Sequence, residues 1–374
     1  MTKQDYTAMV NEAKQRSFEY YVLSKPTISD AEFDALVARI EQAEREHPDW
    51  TLPDSPTQCV GSDLSGNGRR LIRHRTPMLS CQKAQTLEAV EKWIAATEKK
   101  LKKQGDIHYV LEWKLDGISC SLVYQDGTLI SAATRGDSMN GSDLMPHVRL
   151  MPSVPKQIYE AGRVEVRGEI ICPKSCLPYM SEYADCRSAA SGLCGKNYAD
   201  ALCSLLEFVA WQCERDERIG TESVSIDLTD DLGFKTCGYK GSWTEDVVVL
   251  LSEFADQRAS LDWPTDGVVI KIDTKPLADK MGFTDHHPKG SIAYKFPPAK
   301  TQTTVRRIEI SVGATGRRTP VAWFDPVVIG GRTIEKASLG SEDTMRKLGV
   351  TEGCKVEVGL SNDVTPRVYR VVKS

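Results

Sequence analysis

Lys114 stands two residues before an Asp-Gly pair, in Glu-Trp-Lys-Leu-Asp-Gly, directly after an alternating run of the kind that forms a strand. A lysine so placed is only the tip of a solvated hairpin unless other groups give its amine work to do. Three later stretches supply such groups: residues 163–170 (RVEVRGEI), 266–272 (DGVVIKI) and 291–296 (SIAYKF), each strand-like and each with a charged residue near its end. Side chains alternate across a strand, so each run divides into two faces. Tyr109, Leu111 and Trp113 share one face, and Glu112 and Lys114 share the other. Val164, Val166 and Ile170 oppose Glu165, Arg167 and Glu169. Lys271 points away from Val268, Ile270 and Ile272, and Lys295 away from Ile292, Tyr294 and Phe296. One such strand is an ordinary half-exposed strand. Four together predict a polar cleft lined by lysines and glutamates.

Such a cleft suits a phosphoanhydride. Cations stabilise the charge that builds on phosphoryl oxygens during transfer, and a lysine among other cations is expected to have its pKa lowered, freeing the amine as a nucleophile. The sequence has no G-x-x-x-x-G-K-[ST] loop and no G-x-G-x-x-G after a strand, so side chains must handle the phosphate. Lys114 is placed as the nucleophile.

The elements that must hold these residues follow from periodicity. Tyr6, Met9, Val10 and Ala13 recur at helical spacing, as do Phe33, Leu36, Val37 and Ile40. Between the two stripes, Ser29 and Glu32 fit a capping box that starts the second helix near Asp30. An aperiodic stretch rich in Pro and Gly predicts a boundary near residue 60, and an amphipathic helix is expected from Leu87 to Leu101. From residue 108 to 300 short strands alternate with turns, including an Asp126-Gly127 hairpin signal, which reads as mixed α+β with antiparallel strands. The remainder is strand-rich, with one short helix that Ser341 can cap, and predicts a small basic barrel of the OB-fold type. The expected domains are residues 1–62, 63–300 and 301–374.

Composition bounds the setting. The 374 residues suffice for two or three domains, and no stretch approaches the roughly 20 apolar residues of a membrane span. The polar start is no signal peptide, so a cytoplasmic protein is expected. Eleven cysteines, an odd number, suit free thiols in a reducing compartment. Cys172 and Cys176 are spaced loosely like metal ligands, but no second pair closes a tetrahedral site, and buried thiols are the better reading. The net charge of −4 conceals an acidic head and a basic tail: residues 1–56 hold six Lys/Arg against eleven Asp/Glu, and residues 300–374 hold thirteen against eight. The two ends are therefore expected to meet different partners.

The motifs K-L-D-G (Lys114 to Gly117), T-R-G-D (Thr134 to Asp137), V-R-G-E (Val166 to Glu169), D-G-V-V-I-K (Asp266 to Lys271) and Y-K-F-P (Tyr294 to Pro297) stand in the order seen in NAD+-dependent DNA ligases, which this chain resembles over nearly its whole length. A lone K-x-D-G is weak, whereas the ordered set is specific. The stretches ISDAEFDAL and HPDWTLPDSPTQCVG also resemble the small helical domain with which those ligases bind the nicotinamide mononucleotide half of NAD+.

The resemblance implies an α+β multidomain chain: a helical domain, a nucleotidyltransferase domain of ATP-grasp-like antiparallel sheets, and an OB-fold barrel. It implies a ligase that seals 5′-phosphate/3′-hydroxyl nicks in duplex DNA through a lysyl-AMP on Lys114, releasing nicotinamide mononucleotide. Glu112 would read the adenine amino group, Trp211 would stack on the ring where the family usually has Tyr, and Glu169 would bind the ribose hydroxyls. Arg135 would serve the ribose and the DNA 5′ phosphate, Lys271 and Lys295 the phosphates, and Asp116 would support Lys114 and help hold Mg2+, with Mn2+ as substitute. Leu79 and Ser80 match the segment over the adenosine. Tyr20, Tyr21, Asp30, Phe33 and Asp34 match nicotinamide-side contacts, with Tyr21 where the family commonly has His and Phe33 where it has Tyr. Arg306, Arg307, Arg317 and Arg318 are the expected DNA contacts of the barrel, although Ala314 replaces a family Arg beside them. With no four-Cys module, helix-hairpin-helix array or BRCT domain after the barrel, a minimal, viral or accessory, monomeric ligase without structural zinc is expected. A catalytically inactive nick-binding protein, and an RNA ligase or capping-type transferase using ATP or GTP, stay open as alternatives.

Overall fold

The structure, a computed structural model, describes residues 2–21, 27–28, 30–52, 55–57, 69–102, 106–243, 246–284, 287–297, 300–312, 318–329, 332–361 and 365–372. The chain divides into two compact units, Met1–Ile28 with Phe33–Phe296, and Ser29–Glu32 with Pro297–Ser374. Up to Lys295 the elements are α1 (Lys3–Tyr21), α2 (Asp30–Glu46), β1 (Leu71–Arg73), β2 (Gln82–Ala84), α3 (Leu87–Leu101), β3 (His108–Leu115), β4 (Ile118–Gln125), β5 (Thr128–Thr134), β6 (Asn140–Ser142), α4 (Met145–Val148), β7 (Arg163–Ile171), α5 (Cys186–Gly195), β8 (Glu207–Arg215), α6 (Glu222–Asp231), β9 (Lys235–Thr236), β10 (Lys240–Trp243), α7 (Val247–Gln257), β11 (Thr265–Ile272), α8 (Lys275–Met281) and β12 (Ser291–Lys295). After it come β13 (Lys300–Val312), β14 (Arg318–Ile329), β15 (Arg332–Ser338), α9 (Glu342–Leu348), β16 (Lys355–Ser361) and β17 (Thr365–Val371).

The two apolar stripes of the head meet each other. Tyr6, Met9, Val10 and Ala13 of α1 bury against Leu36, Ile40 and Ala43 of α2. Tyr6 Oη donates to Glu44 (2.7 Å) and accepts the N–H of Leu52 (3.1 Å), which ties the chain after α2 back to α1. The Ser29 cap lies outside the described residues.

Two five-stranded sheets form the body, ordered β10-β3-β11-β12-β2 and β5-β4-β7-β8-β9. Their pairs are antiparallel except β12–β2 and β8–β9. The alternation of the sequence decides which way each face turns. Leu111, Trp113, Val268, Ile270 and Ile292 bury beneath α3 and α7, with the Trp113 and Phe254 rings edge to face at 4.6 Å. Leu122, Val164, Val166, Ile170 and Phe208 form the other core with α5. The β4–β5 hairpin pairs Gln125 with Thr128, and its tip residues Asp126 (φ 48) and Gly127 (φ 78) both adopt the left-handed conformation that Asp-Gly tolerates. Gly117 is required for a different reason: a Cβ there would stand 2.2 Å from Ile170 O, because β7 crosses directly behind the turn after Lys114.

The second unit is a closed barrel, β13-β14-β15-β17-β16, around Val305, Ala322, Phe324, Val356 and Val358. Its helix α9 is capped by Ser341, whose Oγ accepts the N–H of Thr344 (3.1 Å), and ends at Gly349 in the left-handed conformation. Among the described residues every cysteine is a free thiol, with Cys172 buried and Cys176 half-buried. Among them, too, no helix is long and apolar enough to cross a membrane.

Candidate active site

The pairing of β3, β11 and β12 sets the layout. Lys114 and Lys295 both pair with Gly267, whereas Lys271 pairs with Val110 and Ser291. Lys114 and Lys295 therefore share one level of the sheet, and Lys271 stands four residues along β11, about 13 Å away at roughly 3.3 Å per residue. The cleft has two ends.

At the first end Lys114 Nζ lies 2.8 Å from Asp266 Oδ1, and Lys295 Nζ lies 3.5 Å from Asp266 Oδ2. Asp266 sits where the β11 register slips between Thr265 and Gly267. Strict alternation would turn it toward the core with Val268, and the irregularity turns it to the lysines instead. This overturns the expectation that neighbouring cations depress the Lys114 pKa. Burial does work against the ammonium, but Asp266 and then Asp116 outweigh it, and the pKa lies above the ordinary lysine value. Asp266 in turn is held below the usual carboxylate range: burial opposes this, and the charges of Lys114 and Lys295 prevail.

Asp116 is anchored by its backbone N–H to Pro264 O (2.9 Å), and its carboxylate pairs with Arg187 from the first turn of α5. Glu169 on β7 enters from the other sheet, where it pairs with Ser119 and accepts that hydroxyl at 2.8 Å. Burial pushes its pKa up to about 7, against the Ser119 hydrogen bond and the charges of Arg187, Lys114 and Arg135. Arg135 donates its backbone N–H to Ser119 O (3.1 Å), and its buried Nε has no hydrogen-bond partner.

At the second end Lys271 Nζ lies 2.7 Å from Glu112 Oε1, 3.6 Å from Glu222 Oε2 and 5.3 Å from the centre of the Trp211 ring. Burial raises the Glu112 pKa in spite of Lys271. The expected phosphate role of Lys271 does not fit this placement, because the strand register that brings Lys295 to the nucleophile carries Lys271 away from it. Glu112 Oε2 is buried without a hydrogen-bond partner. A carboxylate acceptor beside an aromatic ring and an ammonium fits a base that offers an exocyclic amine and a ring nitrogen.

Two glutamates were expected on the polar face of β7, and they divide. Glu165 is fully buried and bound to Arg167 (2.9 Å), Arg163 (2.8 Å) and Ser121 (2.9 Å). Arg167 also donates to Thr76 O (2.8 Å) and Pro77 O (3.2 Å), fixing the segment that leads into Leu79 and Ser80. Leu79 and Ser80 are half-buried, and Ser80 O accepts from His287 Nδ1 at 2.7 Å.

Among the described residues no three His, Cys, Asp or Glu side chains gather as a metal cage. Mg2+ ordinarily takes one or two carboxylates and completes its shell with phosphate oxygens and water, so Asp116 beside the lysines fits an ion that arrives with a nucleotide. In the head, Phe33 packs partly buried against the α1–α2 core, while the side chains of Tyr20, Tyr21, Asp30 and Asp34 lie outside the described residues.

On the barrel the expected arginines separate. Arg306 makes a bidentate pair with Asp325, its Nε 3.1 Å and Nη2 2.6 Å from Oδ2. Arg307 lies on the next face over: its Nη1 is 2.9 Å from Glu309 Oε1, and it pairs across strands with Trp323, which pairs with Lys336, so that the two cations stand 4.6 and 4.9 Å from the indole centre. Arg317 lies outside the described residues, as does the side chain of Arg318. Sequence reasoning missed Asp266, Arg187, Glu222, Trp323 and Lys336. For Trp323 the signal was available, since its alternation with Ala322 and Phe324 puts it on the outer face.

Comparison with known proteins gives three matches in order along the chain. Residues 1–61 match the DNA ligase-like N-terminal NAD+-binding domain, residues 67–299 the NAD-dependent DNA ligase adenylation domain, and residues 302–374 the NAD-dependent DNA ligase OB-fold domain. A DNA ligase of Bacillus licheniformis is 34% identical over 95% of this chain and 55% of its own length. One of Halothermothrix orenii is 35% identical over 100% of this chain and 57% of its own. The chain thus spans a little over half the length of the curated relatives it matches. Among solved structures, an ATP-dependent DNA ligase from bacteriophage T7 superposes with a TM-score of 0.35 at 13% identity, over 79% of this chain and 98% of that one, too distantly to bear on the site. With the adenylation-domain match alone covering residues 67–299, the chain belongs to the NAD-dependent DNA ligase family.

Proposed function

We propose that this chain seals nicks in duplex DNA with AMP taken from NAD+. The observation that carries the reading is the two-ended cleft: a lysine flanked by a second lysine at one level, and a carboxylate, ammonium and indole a nucleoside's length further along the same sheet. Lys114 attacks the adenylyl phosphorus as a free amine. The ammonium first gives up a proton to water; the P–N bond then forms as the P–O bond to nicotinamide mononucleotide breaks, the mononucleotide leaves with its phosphate oxygen, and a second Nζ proton passes to water. Lys295 faces the charge that develops on the phosphoryl oxygens, and Glu169 and Arg135 border the ribose. Glu112 and Lys271 take the adenine edge, with Trp211 at its face. Mg2+ would supply further charge at the phosphate, held in part by Asp116.

Tyr20, Tyr21, Asp30, Phe33 and Asp34 of the head are assigned to the nicotinamide half, which makes NAD+ rather than ATP the donor. Nicked duplex DNA is the partner of the basic barrel, and a monomer needs no second copy for any of these roles. The free thiols among the described residues suit a reducing, cytoplasmic compartment.

Intact-mass measurement after incubation with NAD+ or ATP tests the reading. The chain should gain one AMP from NAD+ and none from ATP. Lys114→Ala should gain none from either, yet still join a nick that already carries a 5′ adenylate. Uptake of AMP by that variant would refute the assignment of the nucleophile.

A further inference from the structure

Glu222 opens α6, its backbone N–H bound to Asp273 O at 2.8 Å and Thr221 serving as the cap. From there its carboxylate reaches the base end of the cleft. Oε2 lies 3.6 Å from Lys271 Nζ, and Oε1 lies 4.0 Å from Lys275 Nζ. The side chain is 14% exposed, and Oε2 is buried with no hydrogen-bond partner. Glu112 approaches the same ammonium more closely, with Oε1 at 2.7 Å, while its other oxygen, Oε2, is buried and has no hydrogen-bond partner. Two carboxylates therefore converge on one lysine, each with a buried oxygen that no hydrogen bond completes, although Glu222 Oε2 also faces the Lys271 charge. A buried acceptor without a hydrogen bond calls for an explanation, and a ligand group that completes it in a nucleotide cleft is one. Nothing in the transfer chemistry uses the second one, because adenine's amino group needs only Glu112.

We propose that Glu222 is a specificity-determining residue for the base of the nucleotide donor, an inference that rests on reading this cleft as the adenylyl-transfer site. Glu112, Lys271 and Glu222 present acceptor, donor and acceptor to the Watson–Crick edge of a purine. Glu112 takes a hydrogen of the 6-amino group, Lys271 donates to N1, and Glu222 faces position 2. Adenine fills the first two places and leaves only a C–H for the third. A purine with amino groups at both positions 2 and 6 fills all three. Hypoxanthine turns a carbonyl oxygen toward Glu112 and an N–H toward Lys271, and so mismatches both. Guanine shares those two mismatches and satisfies Glu222 alone.

The test uses the whole chain with NAD+ and its 2-amino-adenine and hypoxanthine analogues, following nucleotide transfer to the protein by intact mass at graded donor concentrations. The 2-amino donor should be preferred over NAD+ by roughly tenfold in kcat/KM, the scale of one hydrogen bond to a charged group. The hypoxanthine donor should be the poorest. In Glu222→Ala the preference for the 2-amino donor should vanish while hypoxanthine stays poor, since that discrimination belongs to Glu112 and Lys271. The wild-type comparison needs no variant to fold. Equal use of NAD+ and the 2-amino donor by the wild-type chain, or a Glu222→Ala chain that keeps the full preference, would overturn the assignment. A chain that takes up no nucleotide from any donor would instead overturn the adenylyl-transfer reading, and this inference with it.

Discussion

Replacing Glu169 by Gln should stabilise the nucleotide-free protein, and only above mildly acidic pH. The cleft raises this carboxyl from its ordinary 4.5 to about 7, chiefly by burial. A folded state that holds a proton more tightly than the unfolded chain draws stability from it below the unfolded value. That stability drains away as pH rises toward 7, beyond which the ionised carboxylate stays buried at a constant cost. At roughly 1.4 kcal/mol per decade the full difference amounts to about 3 kcal/mol. Glu169 is half-buried rather than enclosed, so water at the cleft mouth makes that an upper bound. Glutamine cannot ionise and keeps an oxygen for the Ser119 hydroxyl. Thermal unfolding of both proteins from pH 4.5 to 8.5 measures the effect. The two melting temperatures should nearly coincide at the acidic end, separate between pH 5 and 7 with the variant higher, and then run parallel. At about 2–4 °C per kcal/mol for large domains, the plateau should reach several degrees. Curves parallel throughout would refute the reasoning, because they would mean that Glu169 titrates alike in both states. The same variant should form lysyl-AMP more slowly, having lost a carboxylate at the ribose, so that stability and activity move in opposite directions.

Asp266→Asn removes the charge that outweighs burial at Lys114, so the Lys114 pKa should fall and the pH profile of self-adenylation should move to lower pH; an unmoved profile would show that another group governs it. On the barrel, Arg307→Ala with Lys336→Ala should flatten the log–log salt dependence of nick binding by about 2, at roughly 0.9 per phosphate contact. Arg306→Ala removes a guanidinium held by two nitrogens on Asp325 and off the Trp323 row, unlike Arg307 with its single nitrogen on Glu309, and should change that slope little; equal effects of the two replacements on nick affinity would show that the Trp323 row does not face DNA.

Local order was legible in the sequence because its physical cause is local. Alternation alone told which side of β3, β11 and β12 is apolar, helical spacing marked Leu87–Leu101, and Asp126-Gly127 marked the hairpin. The ordered motifs named the family on residue types at fixed spacings, which survive without knowledge of the fold. Encounters between distant segments were not legible. That Lys295 meets Lys114 while Lys271 goes to Glu112 depends on the register of three antiparallel strands, and a one-residue slip would have turned every face over. Asp266 escaped because an irregularity in β11 breaks the alternation on which the reading relied, and its charge reversed the expected direction of the Lys114 pKa. Arg187 and Glu222 reach the cleft from the first turns of helices whose sequences say nothing about what lies opposite them. Residue type and period determine what each strand can offer. Only tertiary pairing decides which charges share a site, because Coulomb energy and desolvation depend on distances through space that spacing along the chain does not encode.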